Sequence, residues 1–321
     1  MIQEIKISEK LIQHLSSASW PHYQESSNSA GWGIFEQRRL VAVIETLPDE
    51  IKNGLKIVTF QADAESDVQA FIELAKEQAQ LENRQFITIA ATTWLRLFLK
   101  NGFSQDDGIL TWVRPKPEPI KTLEIRPELE TDFNDVETMI NQAFWNKFQP
   151  GSIEAYLLQQ LRKSAIYLPE LSRIAIVNGE VGGGIFYSKA EIQTKNQKVP
   201  ILTFGPLGIA PKWQGTGIGT QLLKTTLALA KQADYQGVVI TGVPNYYQQH
   251  GFQPTVNFGI TLPDGTTPDF LMGYELQSGG LRTIPGIYQE NEFFEKLSLT
   301  ENDHYNERFN QRPAQWFPQQ L

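Results

Sequence analysis

The sequence predicts a mixed α/β (α+β) protein in which one strand–helix–strand unit occurs twice. Three observations carry this. Residues 201–252 hold an apolar run of strand length, Ile201–Ile209, then a glycine-rich turn, Gln214 to Gly219. Apolar positions at helical spacing follow (Leu222, Leu223, Thr226, Leu227, Ala230), then a short buried strand, Val238–Ile240. A similar order of elements occurs in the first third of the chain. Between the two, Arg114-Pro115-Lys116-Pro117-Glu118-Pro119 alternates proline with charge, as an extended and stiff domain boundary does. At 321 residues the chain also exceeds the length that one core usually serves.

The first copy, residues 1–115, opens with Trp32–Glu36 and Leu40–Thr46, a hairpin about Gln37-Arg38-Arg39. Leu55–Gln61 is a third strand. Asp67–Gln80 is a helix with Phe71, Leu74 and Ala75 inward, and Phe86–Ala90 a further strand. Trp94–Leu99 is a short helix running into Asn101-Gly102-Phe103, and Ile109–Val113 closes the unit. Where the second copy has its glycine turn, this one has Asp63-Ala64-Glu65-Ser66-Asp67, with no glycine and three carboxylates. Those charges repel an anion.

The second copy starts with a strand, Leu123–Arg126. Asp132 is suited to cap a helix that runs to Phe144 with Phe133, Val136, Met139 and Ile140 inward. Ser152–Lys163 is a second helix over Tyr156, Leu157 and Leu161. Arg173–Val177 and Val181–Ser188 read as a hairpin through Asn178-Gly179, a type I′ signal. Gly182, Gly183 and Gly184 lie inside its second strand, where glycine weakens a sheet. Close approach of a backbone or ligand explains them, and so does a bulge. Beyond Phe252, Phe258–Leu262 and Phe270–Leu276 are the last strands. Domain bounds of 120–282 and a C-terminal extension of 283–321 follow. The aromatics of that extension (Phe293, Phe294, Tyr305, Phe309, Trp316, Phe317) suit docking on the chain itself or on a partner subunit, so a homodimer is compatible.

The glycine turn carries the chemistry. Three glycines let the backbone come close and aim N–H groups outward, and the start of the following helix adds roughly half a positive charge, a geometry for an anion. No Lys-Ser or Lys-Thr follows, so it is not a Walker loop, and no ribose-binding carboxylate suits a dinucleotide fold. The ordered set of Gln214-x-x-Gly217-x-Gly219, helix, short strand and Tyr247-x-x-x-Gly251-Phe252 resembles the GNAT superfamily of N-acetyltransferases. The Gly-Pro-Leu before the turn and Pro244 to Tyr247 look like its YhbS-like branch. The resemblance implies a tandem acyl-CoA N-acyltransferase fold, with the first copy degenerate, and acetyl-CoA as cosubstrate.

It implies site residues too. Gln214, Gly215, Thr216, Gly217, Ile218 and Gly219 cradle the pyrophosphate. Backbone groups of Leu207, Gly208 and Ile209 pair with the pantetheine arm and polarise the thioester, a duty that Pro206, lacking an N–H, leaves to its neighbours. Asn245 is expected at the cofactor, though a helix cap explains it as well. Tyr247 resembles the general acid that protonates departing coenzyme A; at the ordinary tyrosine value near 10 it is a fair match to a thiol. Tyr246 is expected to face elsewhere and His250 to be a surface residue. In the first copy Phe98 stands where Tyr247 does, without a hydroxyl. The resemblance places the helices 132–144 and 152–163 at the acceptor side. The branch commonly has an aspartate where this chain has Val243, which leaves substrate-side chemistry open.

Composition narrows the rest. The chain has no cysteine, which removes disulfides, thiolate metal sites and a cysteinyl acyl-enzyme. A net charge of −8 argues against broad nucleic-acid binding and suits a cationic amine. No basic start with an apolar core opens the chain and no run has membrane-spanning length, so a cytosolic protein away from membranes is expected. His14, His22, His250 and His304 show no ligand spacing, and no metal is expected. Glu191 is the nearest candidate for a base, with an exposed strand end as its plainer reading. The expected reaction is direct acetyl transfer to a primary amine of a small molecule or peptide. Its rivals are an aminoacyl- or acyltransferase of the Fem or mycothiol-synthase kind, and a non-catalytic acyl-CoA-binding protein.

Overall fold

The structure, a computed structural model, describes residues 2–5, 29–36, 39–81, 84–309 and 314. His14, His22, the Gln37-Arg38 turn, Trp316 and Phe317 lie outside them. The chain divides into two compact units, residues 1–116 with 146–151 and 313–321, and residues 117–145 with 152–312.

The first unit is a seven-stranded sheet crossed by two helices. Its elements are β1 (Ile2–Ile5), β2 (Ala30–Glu36), β3 (Arg39–Asp49), β4 (Gly54–Ala62), α1 (Glu65–Leu81), β5 (Phe86–Ala90), α2 (Leu95–Lys100), β6 (Phe103–Asp106) and β7 (Ile109–Val113). The strand order is β1-β2-β3-β4-β5-β7-β6, with β4 and β5 parallel and every other pair antiparallel. A parallel pair needs a crossover between its strands, and α1 supplies it. Val68, Phe71, Ile72, Leu74, Ala75 and Ala79 turn one stripe of α1 onto Ile44, Leu55, Ile57, Ile87 and Leu110. Phe98 is fully buried, with its ring edge-on to Phe103 at 4.9 Å and to Phe60 at 5.5 Å.

The second unit repeats that order. It comprises β8 (Leu123–Arg126), α3 (Phe133–Phe144), α4 (Glu154–Leu161), β9 (Arg173–Val177), β10 (Glu180–Gln193), β11 (Lys198–Ile209), α5 (Ile218–Gln232), β12 (Gly237–Thr241), α6 (Pro244–Gln248), β13 (Gln253–Pro254), β14 (Ile260–Thr261), β15 (Leu271–Glu275), β16 (Gly286–Gln289) and α7 (Leu299–Asn306). Strands run β8-β9-β10-β11-β12-β15-β13, and β11 and β12 are the parallel pair, joined through α5. Even the bulge is shared. Register shifts opposite Glu45/Thr46 place an extra residue in β4, and a shift opposite Ile185/Tyr187 places one in β11 at Gly205–Pro206.

The hairpin turn has the geometry that its sequence asks for, with φ of 53° at Asn178 and 88° at Gly179. The bulge reading of the glycine triplet holds, and what comes closest to these glycines is side chains in place of the expected backbone or ligand. The β9–β10 register shifts at Gly182, and the strand is closely covered: a Cβ on Gly183 would lie 2.6 Å from Ile209 Cδ1. Asp132 does not cap α3; its carboxylate accepts from Leu129 N–H at 2.7 Å and pairs with Arg126 at 2.6 Å. In α4 the buried residue is Leu158, while Leu157 is half-covered, because the buried stripe runs through Ala155, Leu158 and Leu161.

Residues 283–309 are built into this unit. Strand β16 pairs with the end of β10, Ile192 opposite Tyr288. Helix α7 lies against α3 and α4 through a buried polar network. Asn141 Nδ2 donates to Asn306 Oδ1 at 2.8 Å, Asn306 Nδ2 to the Ser152 carbonyl at 2.8 Å, and the Tyr305 hydroxyl to Glu137 at 2.5 Å. Arg162, 6% exposed, holds Glu128 through a two-point contact and Glu137 through one of 2.6 Å, and rests on the Phe133 ring.

Candidate active site

The site is a gap in the second sheet. Strands β11 and β12 share a single pairing, Leu202 with Val238, and part beyond it. In the first unit β4 and β5 stay paired for four residues, as far as Ile57 and Ile89. Past the bulge, the Ala210 N–H donates to the Gly182 carbonyl at 2.9 Å. Alternation along a strand then turns Leu207 and Ile209 away from β10, toward the gap. Gln214 Nε2 donates to the Ile209 carbonyl at 3.1 Å on that side, tying the turn to the strand end. Gly208, expected with its neighbours at the cofactor, turns toward β10 instead. Its small size has another cause: a Cβ there would meet Ile140 of α3 at 2.6 Å.

Residues 210–217 connect β11 to α5, whereas only residues 63–64 connect β4 to α1. Gly215 has φ of 77° and Gly217, the residue that starts α5, has φ of 89°; a Cβ on either meets nothing within 4 Å. Glycine is needed there for backbone conformation, and the turn faces open space. Thr216 pins it, its hydroxyl donating to the Trp213 carbonyl at 2.6 Å. The first N–H groups of α5, from Ile218 onward, point along the helix axis without intrahelical acceptors. The arrangement is an anion cradle at a helix start.

Tyr247 lies on α6, against the widening gap. Its ring is 5.9 Å from Phe204 of β11 and 5.4 Å from Phe252. Burial, with the Tyr246 and Tyr187 hydroxyls beside it, pushes the Tyr247 phenol well above the ordinary tyrosine value. The sequence-based match to a thiol at an ordinary pKa therefore does not hold. Tyr247 stays a proton donor over the whole working range. Asn245, in the first turn of α6, is exposed.

Tyr246 faces elsewhere than Tyr247, as expected, while His250 is not the surface residue that the sequence suggested. Tyr246 is half-buried, with its hydroxyl over the first turn of α5, so close that a Cβ on Gly219 would lie 2.8 Å from it. That contact explains the third glycine. His250 is half-buried beside it, the two rings edge-on at 5.0 Å, with Nε2 3.4 Å from the Thr220 hydroxyl. Burial and the Lys224 charge lower the imidazole pKa. His250 lies in the turn just after α6, and the smallness of Gly219 is the sequence feature that hints at the contact. Glu191 forms an ion pair with Lys198 at the strand end, which removes it as a base. No group of three or more metal-ligating side chains occurs among the described residues.

Residues 170–254 match the family model of the acetyltransferase (GNAT) domain, a span that contains the gap, the glycine turn and Tyr247. The second unit carries a GNAT domain. Two Escherichia coli proteins are similar to it. The uncharacterized N-acetyltransferase YjhQ of strain K12 is 28% identical over 125 residues, 39% of this chain and 66% of that protein. The uncharacterized N-acetyltransferase YhbS is 22% identical over 174 residues, 54% of this chain and 99% of that protein. The chain thus spans just under two thirds of YjhQ. The crystal structure of YhbS in complex with CoA aligns at a TM-score of 0.49 and 21% identity, over 58% of this chain and 98% of that one. A GNAT family acetyltransferase from Brucella melitensis, in complex with acetyl-CoA, aligns at 0.43 and 22%, over 54% and 98%. The GNAT domain lies in the unit with the parted strands, and no helix of the described residues is long and apolar enough to cross a membrane.

Proposed function

We propose that the protein is an acetyl-CoA-dependent N-acetyltransferase that moves an acetyl group directly to a primary amine of a small molecule or peptide. The observation that carries this reading is the parting of β11 and β12 directly before an open glycine turn at a helix start, inside the span that matches the GNAT model. The residues fit the cosubstrate. Gly215, Gly217 and the first turn of α5 hold a diphosphate by backbone N–H groups, and Leu207 and Ile209 offer the backbone groups that an extended amide-bearing arm needs. When bound, acetyl-CoA supplies an activated thioester.

The chain's own groups do the rest. The Leu207 and Ile209 backbones face the gap where charge develops on a carbonyl oxygen. Tyr247 donates its hydroxyl hydrogen to the leaving sulfur from the gap's inner wall, and the proton that the attacking amine loses returns to the phenolate oxygen, so that amide, thiol and phenol are left with protons balanced. With no cysteine to take the acyl group, transfer needs the amine and thioester together.

Thiol release from acetyl-CoA, measured across polyamines, aminoglycosides, amino acids and peptides, tests the reading. Amine-dependent release that disappears in Gly217→Asp is expected. Absence of both amine-dependent release and acetyl-CoA binding would reject it.

A further inference from the structure

We infer that Tyr246 and His250 form a side-chain arm of the anion site, closing over the first turn of α5 to bind a diphosphate ester beside the glycine turn. The inference rests on the proposed use of that turn for coenzyme A and assigns two residues to it. Both side chains converge on Thr220, one residue past the last glycine. The Tyr246 hydroxyl lies against Gly219, and His250 Nε2 is 3.4 Å from the Thr220 hydroxyl.

The chain supplies its own control. In the first unit Leu97 precedes Phe98 as Tyr246 precedes Tyr247, and Asn101-Gly102-Phe103 stands where His250-Gly251-Phe252 does. There the same helix-to-helix contact is a closed amide pair: Gln69 Nε2 donates to Asn101 Oδ1 at 3.1 Å, and Asn101 Nδ2 to Gln69 Oε1 at 2.8 Å. Gln69 Nε2 is shared with the Glu73 carboxylate at 2.9 Å and Asn101 Nδ2 with the Leu97 carbonyl at 2.9 Å, so both amides are fully engaged within the unit. In the second unit the Thr220 hydroxyl is shared between the Tyr246 hydroxyl and a long contact of 3.4 Å to the His250 imidazole. A long contact to a group that can gain a proton is cheap to exchange for a ligand oxygen. The unit with the glycine turn has the exchangeable pair, and the unit without it has the closed one.

A bound diphosphate opposes the depression that burial and Lys224 impose on His250. The groups around the imidazole are Tyr246 on α6 and Thr220 and Lys224 on α5. Its pKa is therefore higher with ligand than without, binding takes up a proton, and His250's share of the affinity grows as pH falls through its titration.

Calorimetry of coenzyme A binding to the full chain at pH 5.5 and 8.5, for the wild type, His250→Gln and Tyr246→Phe, tests this. The ratio of wild-type to His250→Gln affinity is expected to rise about tenfold from pH 8.5 to 5.5, one pKa unit of coupling. Comparing the two proteins cancels the titration of the ligand's own phosphates. Tyr246→Phe is expected to bind severalfold more weakly at both pH values, the effect of one lost hydrogen bond. Inorganic pyrophosphate as competitor is expected to show the same His250 dependence. Equal affinities in all three proteins at both pH values overturn the inference and leave the acetyltransferase reading standing. No coenzyme A binding by the wild type overturns both.

Discussion

Tyr246 and Tyr247 are adjacent in sequence and point to different parts of the site, one over the phosphate turn and the other toward the β11–β12 gap. Tyr247→Phe is expected to leave acetyl-CoA affinity and melting temperature unchanged while kcat falls about 10²–10⁴-fold, the usual loss for a general acid. Full activity in a normally folded variant would reject the assignment. The raised pKa adds a second expectation. A phenol pushed upward stays protonated below pH 10, so kcat has no alkaline limb from this residue; a limb present in the wild type and absent in Tyr247→Phe would contradict that. Tyr247 was legible from its spacing to Gly251-Phe252, which fixes its place on the short helix. Tyr246 and His250 were not legible as site residues, because their role depends on α6 leaning against the first turn of α5. Only the smallness of Gly219 hinted at that contact.

At the scale of elements, the turn before α5 and the helices α3, α4 and α7 show two ways in which sequence dictates local form. Gly217 is required by its positive φ and has open space around it, so Gly217→Ala is expected to cost about 1–2 kcal/mol of stability through backbone strain alone and to weaken acetyl-CoA binding as well. Thermal melts and calorimetry on the same protein read both; unchanged stability would mean that the turn relaxes. Arg162 is the opposite kind of residue, a buried cation between the carboxylates of Glu128 and Glu137. Arg162→Met leaves Glu128 without its cation while Glu137 keeps Arg308, and a loss of about 3 kcal/mol is expected, visible as a lower denaturant midpoint. A shift below about 1 kcal/mol would show those carboxylates to be reached by water. Periodicity placed most of the strands and helices, because each buries a clear stripe. It missed β1, β6, β13 and β16, which are short and have little apolar alternation. It also missed the seating of the tail, since Tyr305 and Asn306 find Glu137 and Asn141 more than 160 positions away.

For the whole molecule, the repeat of strand order with the shared bulge shows that one topology is used twice, and the differences between the copies carry the expectation that only the second binds acetyl-CoA. Legibility was uneven at this scale: the repeated order could be read from the sequence, but the strand parting could not, since both copies carry the bulge and yet only β11 and β12 part after a single pairing. In the first unit a connection of two residues replaces one of eight, Asp63 stands at its start, and β4 and β5 remain paired where β11 and β12 part. A backbone cradle needs a turn long enough to carry two glycines at positive φ, and two residues between strand and helix cannot supply one. The full chain is therefore expected to bind one acetyl-CoA, not two. Gly217→Asp adds both a strained side chain and a negative charge where the diphosphate sits, and binding should then disappear with no residual weaker phase. Calorimetric stoichiometry decides this on the intact protein without cutting it at the linker. A ratio of two in the wild type, or a saturable phase that survives in Gly217→Asp, would show that the first unit has kept a site by means other than the glycine turn.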